Sequence, residues 1–276
     1  MKQGWKTWAC AALAGLTVTA CSTPGYRTLN PSCVEPFPDA KYNRDGHQDT
    51  TYIVAVMAGR SPREAALLSF YNEAADDLAW RFAAPQVSVW ASFGGWTYRH
   101  RIVGVLHSLH GGGPEAVDQR RRDLARALSG RPVGAHDTVW QSGLIIHALG
   151  DSFAHTRGEY GQGEAYGELY GHLLDGHAPD YVAMRPAVYQ AYIEHLYEAL
   201  AVPGSEDRAA FEAFAGRMND LPAGVDHIAL HAEAIRAARG DVAPAPRLDC
   251  DALAGRLTLR EVSRFLRELE AGFRPD

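Results

Sequence analysis

No apolar run approaches the roughly 20 residues that a membrane-crossing helix needs; residues 9–21, "ACAALAGLTVTAC", are too few. Basic clusters are equally scarce. Arg120-Arg121-Arg122 is the exception, and it falls in a helical pattern where it reads as a solvated face. Backbone binding to nucleic acid needs clustered positive charge, so no stable nucleic-acid partner is expected. Period-two alternation is nearly missing, "PQVSVWAS" at 85–92 being the one candidate strand, and there is no internal repeat or low-complexity block. Sheet and repeat architectures are therefore not expected. Cysteine is rare, with four in 276 residues.

The short apolar run has a different use. Lys2 and Lys6 precede it, as in a signal peptide, and it ends in Val18-Thr19-Ala20-Cys21. That tetrapeptide resembles a bacterial lipobox, which implies cleavage before Cys21, acylation of that cysteine and membrane attachment through the lipid. Ser22 after it implies outer-membrane sorting, facing the periplasm or the exterior; an ordinary cleaved signal leaving a soluble periplasmic protein is the alternative. Without Lys2 and Lys6 the 27 basic residues become 25 against 33 acidic, a net charge of −8. Cys33 and Cys250 then remain as a candidate disulfide in an oxidising compartment.

Residues 1–20 are thus expected as signal, 21–46 as lipidated cysteine and extended arm, and 47–276 as one domain. From residue 47 the pattern is helical almost throughout. "SPREAALLSFYNEAADDLAWRF" opens with Ser61 as cap and Pro62 at the first helical position, where each is favoured. "PEAVDQRRRDLARALSG" is amphipathic and stops at Gly130, and "HDTVWQSGLIIHALGDSFAHT" is apolar enough to be buried. Four more helical stretches lie between 186 and 273. The fold class is all-α, a multi-helix array.

The buried helix carries His147-x3-Asp151-x3-His155. Steps of four residues drift only ~40°, so the three side chains share one stripe, spread over ~12 Å of axis. One ion with bonds near 2 Å cannot take all three, but a central carboxylate between two imidazoles suits a polynuclear site. Further candidate ligands are His47, Asp76 or Asp77, His107 or His110, and His172, with Asp175, His177 and Asp180 beside the last. Seven of the twelve histidines fall in these segments, and burying so many ionisable groups is costly without a partner such as a metal ion. His227 and His231, also four apart, read as a solvated or packing pair. Gly150-Asp151-Ser152 and "HGGG" at His110–Gly113 match pieces of serine-hydrolase motifs, but neither has the strand or elbow those motifs require.

In this order, the residues from His47 to Asp180 resemble the zinc-dependent phospholipase C and single-strand-specific zinc nuclease group. The resemblance implies an all-α fold with two or three zinc ions that hydrolyses phosphoric esters through a metal-activated water. It implies that Asp151 bridges two zincs, that His147 binds one and His155 and His172 another, and that Asp76 or Asp77 orients or deprotonates the water. A phospholipid or other phosphodiester would be the substrate. The chain departs from the group in lacking an N-terminal tryptophan ligand and in having Gly176 where a His-x3-Glu pair would end. A site of two metals, or a non-catalytic metal-binding lipoprotein retaining the fold, fits those departures.

Overall fold

A computed structural model describes residues 42–78, 81–131, 137–172 and 175–274, with side chains from Asp45 onward. The segment expected as signal, Cys21 expected as the acylation site, and Cys33 lie outside the described residues, and Cys250 is half-buried at the start of a helix. The expected arm ends earlier than residue 46. Tyr42–Asp49 is already a π-helical lead-in that continues into α1 (Thr50–Met57), and Asp45 to Thr50 are buried.

The fold is all-α. Eleven α-helices are present among the described residues, with one two-stranded hairpin, β1 (Thr156–Arg157) and β2 (Glu164–Ala165), paired antiparallel. After α1 come α2 (Pro62–Asp77), α3 (Ala84–Trp90), α4 (Trp96–His100, prolonged as a π-helix over Arg101–Leu106), α5 (Pro114–Ser129) and α6 (Val139–Ala154). Beyond the hairpin follow α7 (Pro186–Leu200), α8 (Arg208–Asn219), α9 (Ile228–Asp241), α10 (Cys250–Gly255) and α11 (Leu259–Ala271). Local sequence explains the clearest boundaries. Ser61 accepts from the Glu64 amide while Glu64 accepts from the Ser61 amide, a full capping box with Pro62 behind it.

Helix α6 is the axis of the array. All of its residues except Gln141 are buried, as its mostly apolar composition predicts. It packs most extensively on α2, and Gly143 makes this possible: a Cβ there would stand 2.3 Å from Cβ of Tyr71. The close approach sets the α2 residues Asn72 and Asp76 against the α6 face that carries His147 and Asp151.

Two expectations are corrected. "PQVSVWAS" is not a strand; it forms α3, with Pro85 in the first helical turn and only Val87 fully buried. Alternation of two valines with polar residues fits one helical turn as readily as a strand when no partner strand is near. Arg121 is not on a solvated face: its guanidinium donates twice to the Ser152 carbonyl, at 3.2 and 3.1 Å, and lies 4.0 Å over the Phe153 ring. His231 is buried with Nε2 on the Pro222 carbonyl, as a packing histidine, and half-buried His227 sits at the start of α9.

Candidate metal centre

The carboxylate of Asp151 is surrounded by imidazoles. His47 Nε2 lies 3.1 Å from Oδ1; His107 Nδ1, His147 Nε2 and His155 Nδ1 lie 2.9, 3.2 and 3.6 Å from Oδ2. His47 comes from the N-terminal lead-in, His107 from the end of the π-turn after α4, and the others from α6. Gly150 makes room for His47, whose Cε1 would be 3.0 Å from a Cβ at that position. His47, His107, His147 and Asp151 are all buried.

The far nitrogen of each ring fixes what the near one can do. His107 Nε2 is 2.8 Å from the Phe82 carbonyl, which only accepts, so Nε2 carries the proton and Nδ1 of the neutral ring presents a lone pair. Asn72 spends its amide NH2 on the His47 carbonyl and Thr51 Oγ1, leaving Oδ1 to accept from His147 Nδ1 at 3.2 Å. His147 Nε2 is then also a lone pair. His107 Nδ1, His147 Nε2 and Asp151 Oδ2 thus converge with edges of 3.1, 2.9 and 3.2 Å. A tetrahedral ion with bonds near 2 Å holds its donors about 3.3 Å apart, so the triangle has metal-site dimensions. Asp76 Oδ1 approaches the same two nitrogens at 3.8 and 3.9 Å and supplies a further donor, and His47, Asp76 and His147 also lie within coordinating distance of one another.

A second group lies beside the first. His155 Nδ1 is held by the His107 carbonyl at 2.8 Å and His172 Nδ1 by the Gly176 carbonyl at 2.6 Å. Their Nε2 atoms face Asp180 Oδ1 at 3.7 and 3.3 Å. Each ring again has one nitrogen tied to an oxygen and the other facing a carboxylate, the arrangement that orients histidine ligands. The chain therefore carries buried and half-buried His/Asp groups at metal-binding distance: one around Asp151, one around Asp180.

The electrostatics follow from the burial of so few anions among so many imidazoles. Burial alone would raise the Asp151 carboxyl, but His155, His147 and His107 hold it well below the ordinary carboxylate range. His155, although buried, is raised to about 10 by Asp151 and Asp180. His107 is raised against its burial by the Asp151 hydrogen bond, whereas burial wins at His147 and lowers it. These directions describe protons standing where a cation would otherwise balance the carboxylates. Both groups open on a cleft of about 660 Å³ whose polar lining includes Asp76, His107, Asp151, His155, His172 and Asp180, and whose apolar lining includes Ala84, Pro85, Val89, Leu109 and Leu169.

Of the residues proposed from sequence, His47, Asp76, His107, His147, Asp151, His155 and His172 are brought together. Asp77 and His110 are not. Asp77 follows Asp76 by one residue and so points ~100° away round α2; burial, then the Asp76 charge, raises its carboxyl to about 7. His110 lies within a turn in which Ser108 has φ 50° and Gly111 φ 73°; its backbone bridges to Gly167, and burial, then Arg120, lowers its ring to about 4. Ser152 is a buried α6 residue whose hydroxyl donates to the Leu149 carbonyl at 2.6 Å. The "HGGG" backbone pairs with the 165–167 segment rather than forming an oxyanion loop.

Sequence reasoning missed Asn72, since a lone asparagine in a helix carries no motif, though its spacing four residues before Asp76 was available. It left Asp175, His177 and Asp180 unranked. Asp180 faces the two histidines, Asp175 accepts from the Tyr166 hydroxyl at 2.7 Å, and His177 is exposed with Nδ1 3.0 Å from Asp180. No family model matches the chain, and no curated protein or solved structure matches it either. The resemblance to zinc phospholipases C and nucleases therefore rests on these residues alone.

Proposed function

We propose that the chain is a zinc-dependent hydrolase of phosphoric esters, phospholipase C-like, attached to the outer membrane through an acylated Cys21. The observation that carries this reading is the convergence of the His107, His147 and Asp151 lone pairs beside an open cleft that His107 and Asp151 line, a donor set suited to a cation. His47, Asp76, His107, His147 and Asp151 would hold one ion, and His155, His172 and Asp180 a second. Zinc so held supplies Lewis acidity toward a phosphoryl oxygen and makes water acidic enough to attack near neutral pH. Asp151, central to both sets of imidazoles, keeps the floor of the cleft anionic and the rings aligned. Asp76, a quarter exposed and lining the cleft, is placed to accept the proton of the attacking water at the carboxylate oxygen that does not hold the ion.

The test is hydrolysis of bis(p-nitrophenyl) phosphate and of phosphatidylcholine before and after chelation. Activity that disappears with chelator and returns with zinc supports the proposal; a zinc-loaded protein inert toward both substrates refutes it. A second reading, a metal site that only stabilises the fold, is favoured by the near-complete burial of His47, His107, His147 and Asp151. It predicts that zinc raises the melting temperature of that inert protein.

A further inference from the structure

Most large apolar side chains of the described residues are covered; of those that are exposed, Val89, Trp90, Phe93, Trp96, Leu169 and Tyr170 fall near the cleft in two segments, while Tyr160, Met184, Val225, Leu230 and Leu259 lie elsewhere in the chain. Phe93 is 90% exposed, Tyr170 74%, Leu169 73% and Trp96 58%. They belong to two segments, α3 with the start of α4, and the loop after β2. Val89, Leu169 and Tyr170 line the cleft that holds the metal-binding groups. Arg99 ties the segments together: its guanidinium lies 5.7 Å over the Trp96 ring and donates to the Glu168 carbonyl at 2.5 Å. Gly104 lets Glu168 close in, since a Cβ there would stand 2.6 Å from Glu168 Oε1. Val89, Leu169 and Tyr170 thus stand at the cleft itself, and Arg99 holds the segment bearing Trp90, Phe93 and Trp96 beside them, an exposed apolar rim of the kind that marks an interaction surface.

Charge narrows the occupant. From Leu78 to Pro114 the chain contains no Asp or Glu, although it has 33 in all; Arg81 is exposed beside the aromatics, whereas Arg99 is buried against Glu168 and Arg101 lies 3.8 Å from Glu270. A stretch rich in Trp and Tyr, free of carboxylates and bordered by arginine, suits a lipid headgroup boundary, where aromatic rings settle and anionic lipids repel carboxylates. No helix among the described residues is long and apolar enough to cross a membrane, so the contact is with a surface. The 21 residues from Cys21 to Tyr42 reach ~70 Å at most, more than a domain of this size measures across, so an acylated Cys21 leaves the rim free to turn toward the bilayer. We infer that this rim docks on the surface of a lipid bilayer, with Phe93, Trp96, Leu169 and Tyr170 in the headgroup boundary and the cleft opening onto it.

Docking of this kind needs neither metal nor hydrolysis, and the test is made in chelator so that it does not depend on either. Hydrogen exchange of the full chain is compared with and without vesicles of equal parts phosphatidylcholine and phosphatidylglycerol. Amides of 84–98 and 168–171 are expected to slow by about tenfold or more, with those around Val225, an exposed apolar residue elsewhere, unchanged. Phe93→Ser with Tyr170→Ser, both at exposed positions, should abolish the slowing and leave the melting temperature as it was; Val225→Ser should leave the slowing intact. Unchanged exchange at the rim overturns the inference. So does slowing that appears without vesicles as protein concentration rises, which would make the rim a contact between two copies of the chain.

Discussion

His107 Nδ1 and His147 Nε2 face each other at 3.1 Å across the Asp151 carboxylate, each turned inward by a hydrogen bond at its other nitrogen. Two neutral rings so placed oppose lone pair to lone pair. The contact is stable only if a proton or a metal ion lies between the donors, and the outer hydrogen bonds decide which nitrogen is offered.

Asn72 is therefore the residue whose loss should loosen a ligand without removing one. Asn72→Leu keeps the volume but lets His147 rotate, and zinc affinity, measured by competition with a chromophoric chelator, is expected to fall about 10- to 100-fold. Asn72→Asp keeps an acceptor for His147 Nδ1 but gives up the donor to the His47 carbonyl, so its loss of affinity should be the smaller of the two. Equal losses in both variants would reduce Asn72 to a packing role.

The second group should be separable from the first. Asp180→Ala removes the carboxylate facing His155 and His172, which has no contact with His47, His107 or His147, the other imidazoles around Asp151. Zinc content should drop by about half, the remaining ion keeping its affinity. Loss of all zinc would show that the two groups act as one site.

Much of this was legible in the chain. The helices, the capping box at Ser61 and Glu64, and the stripe His147, Asp151, His155 follow from local periodicity, which a buried helix expresses strongly. The choice between Asp76 and Asp77, or His107 and His110, was not legible, because neighbours in sequence diverge by a helical rotation or by a turn such as that at Ser108 and Gly111, which only tertiary packing fixes. Asp180 was hidden for a related reason: it reaches His155 and His172 through a loop between the hairpin and α7 that has no periodicity to read.

Glycine substitutions should report on the helix pair that sets the geometry. Gly143→Ala puts a methyl 2.3 Å from Tyr71 Cβ and is expected to cost about 1–3 kcal/mol or more in urea unfolding, as α2 and α6 are forced apart. Gly216→Ala, in α8 with open space around it, should be neutral or gain up to about 1 kcal/mol. The same sign for both would contradict the packing account.

His110 should make the fold acid-sensitive on its own. Its folded-state pKa of about 4 lies below the ordinary 6.5, so between these values the unfolded chain binds the extra proton and stability falls as pH drops. From pH 7 to pH 5 this ring accounts for about 2 kcal/mol of lost stability. His110→Gln should shrink the difference in unfolding free energy between the two pH values by that order. An unchanged difference would mean that the ring is solvated and titrates normally.

The most direct test of the metal-centre account is the zinc content, by elemental analysis, of the untagged protein and of its Asp151→Ala variant. Asp151 contacts His47, His107, His147 and His155, so about two zinc ions per chain are expected in the parent and a sharp fall in the variant. A parent without zinc, or one that keeps its full complement when Asp151 is removed, would contradict the account and leave the imidazoles to be balanced by protons alone.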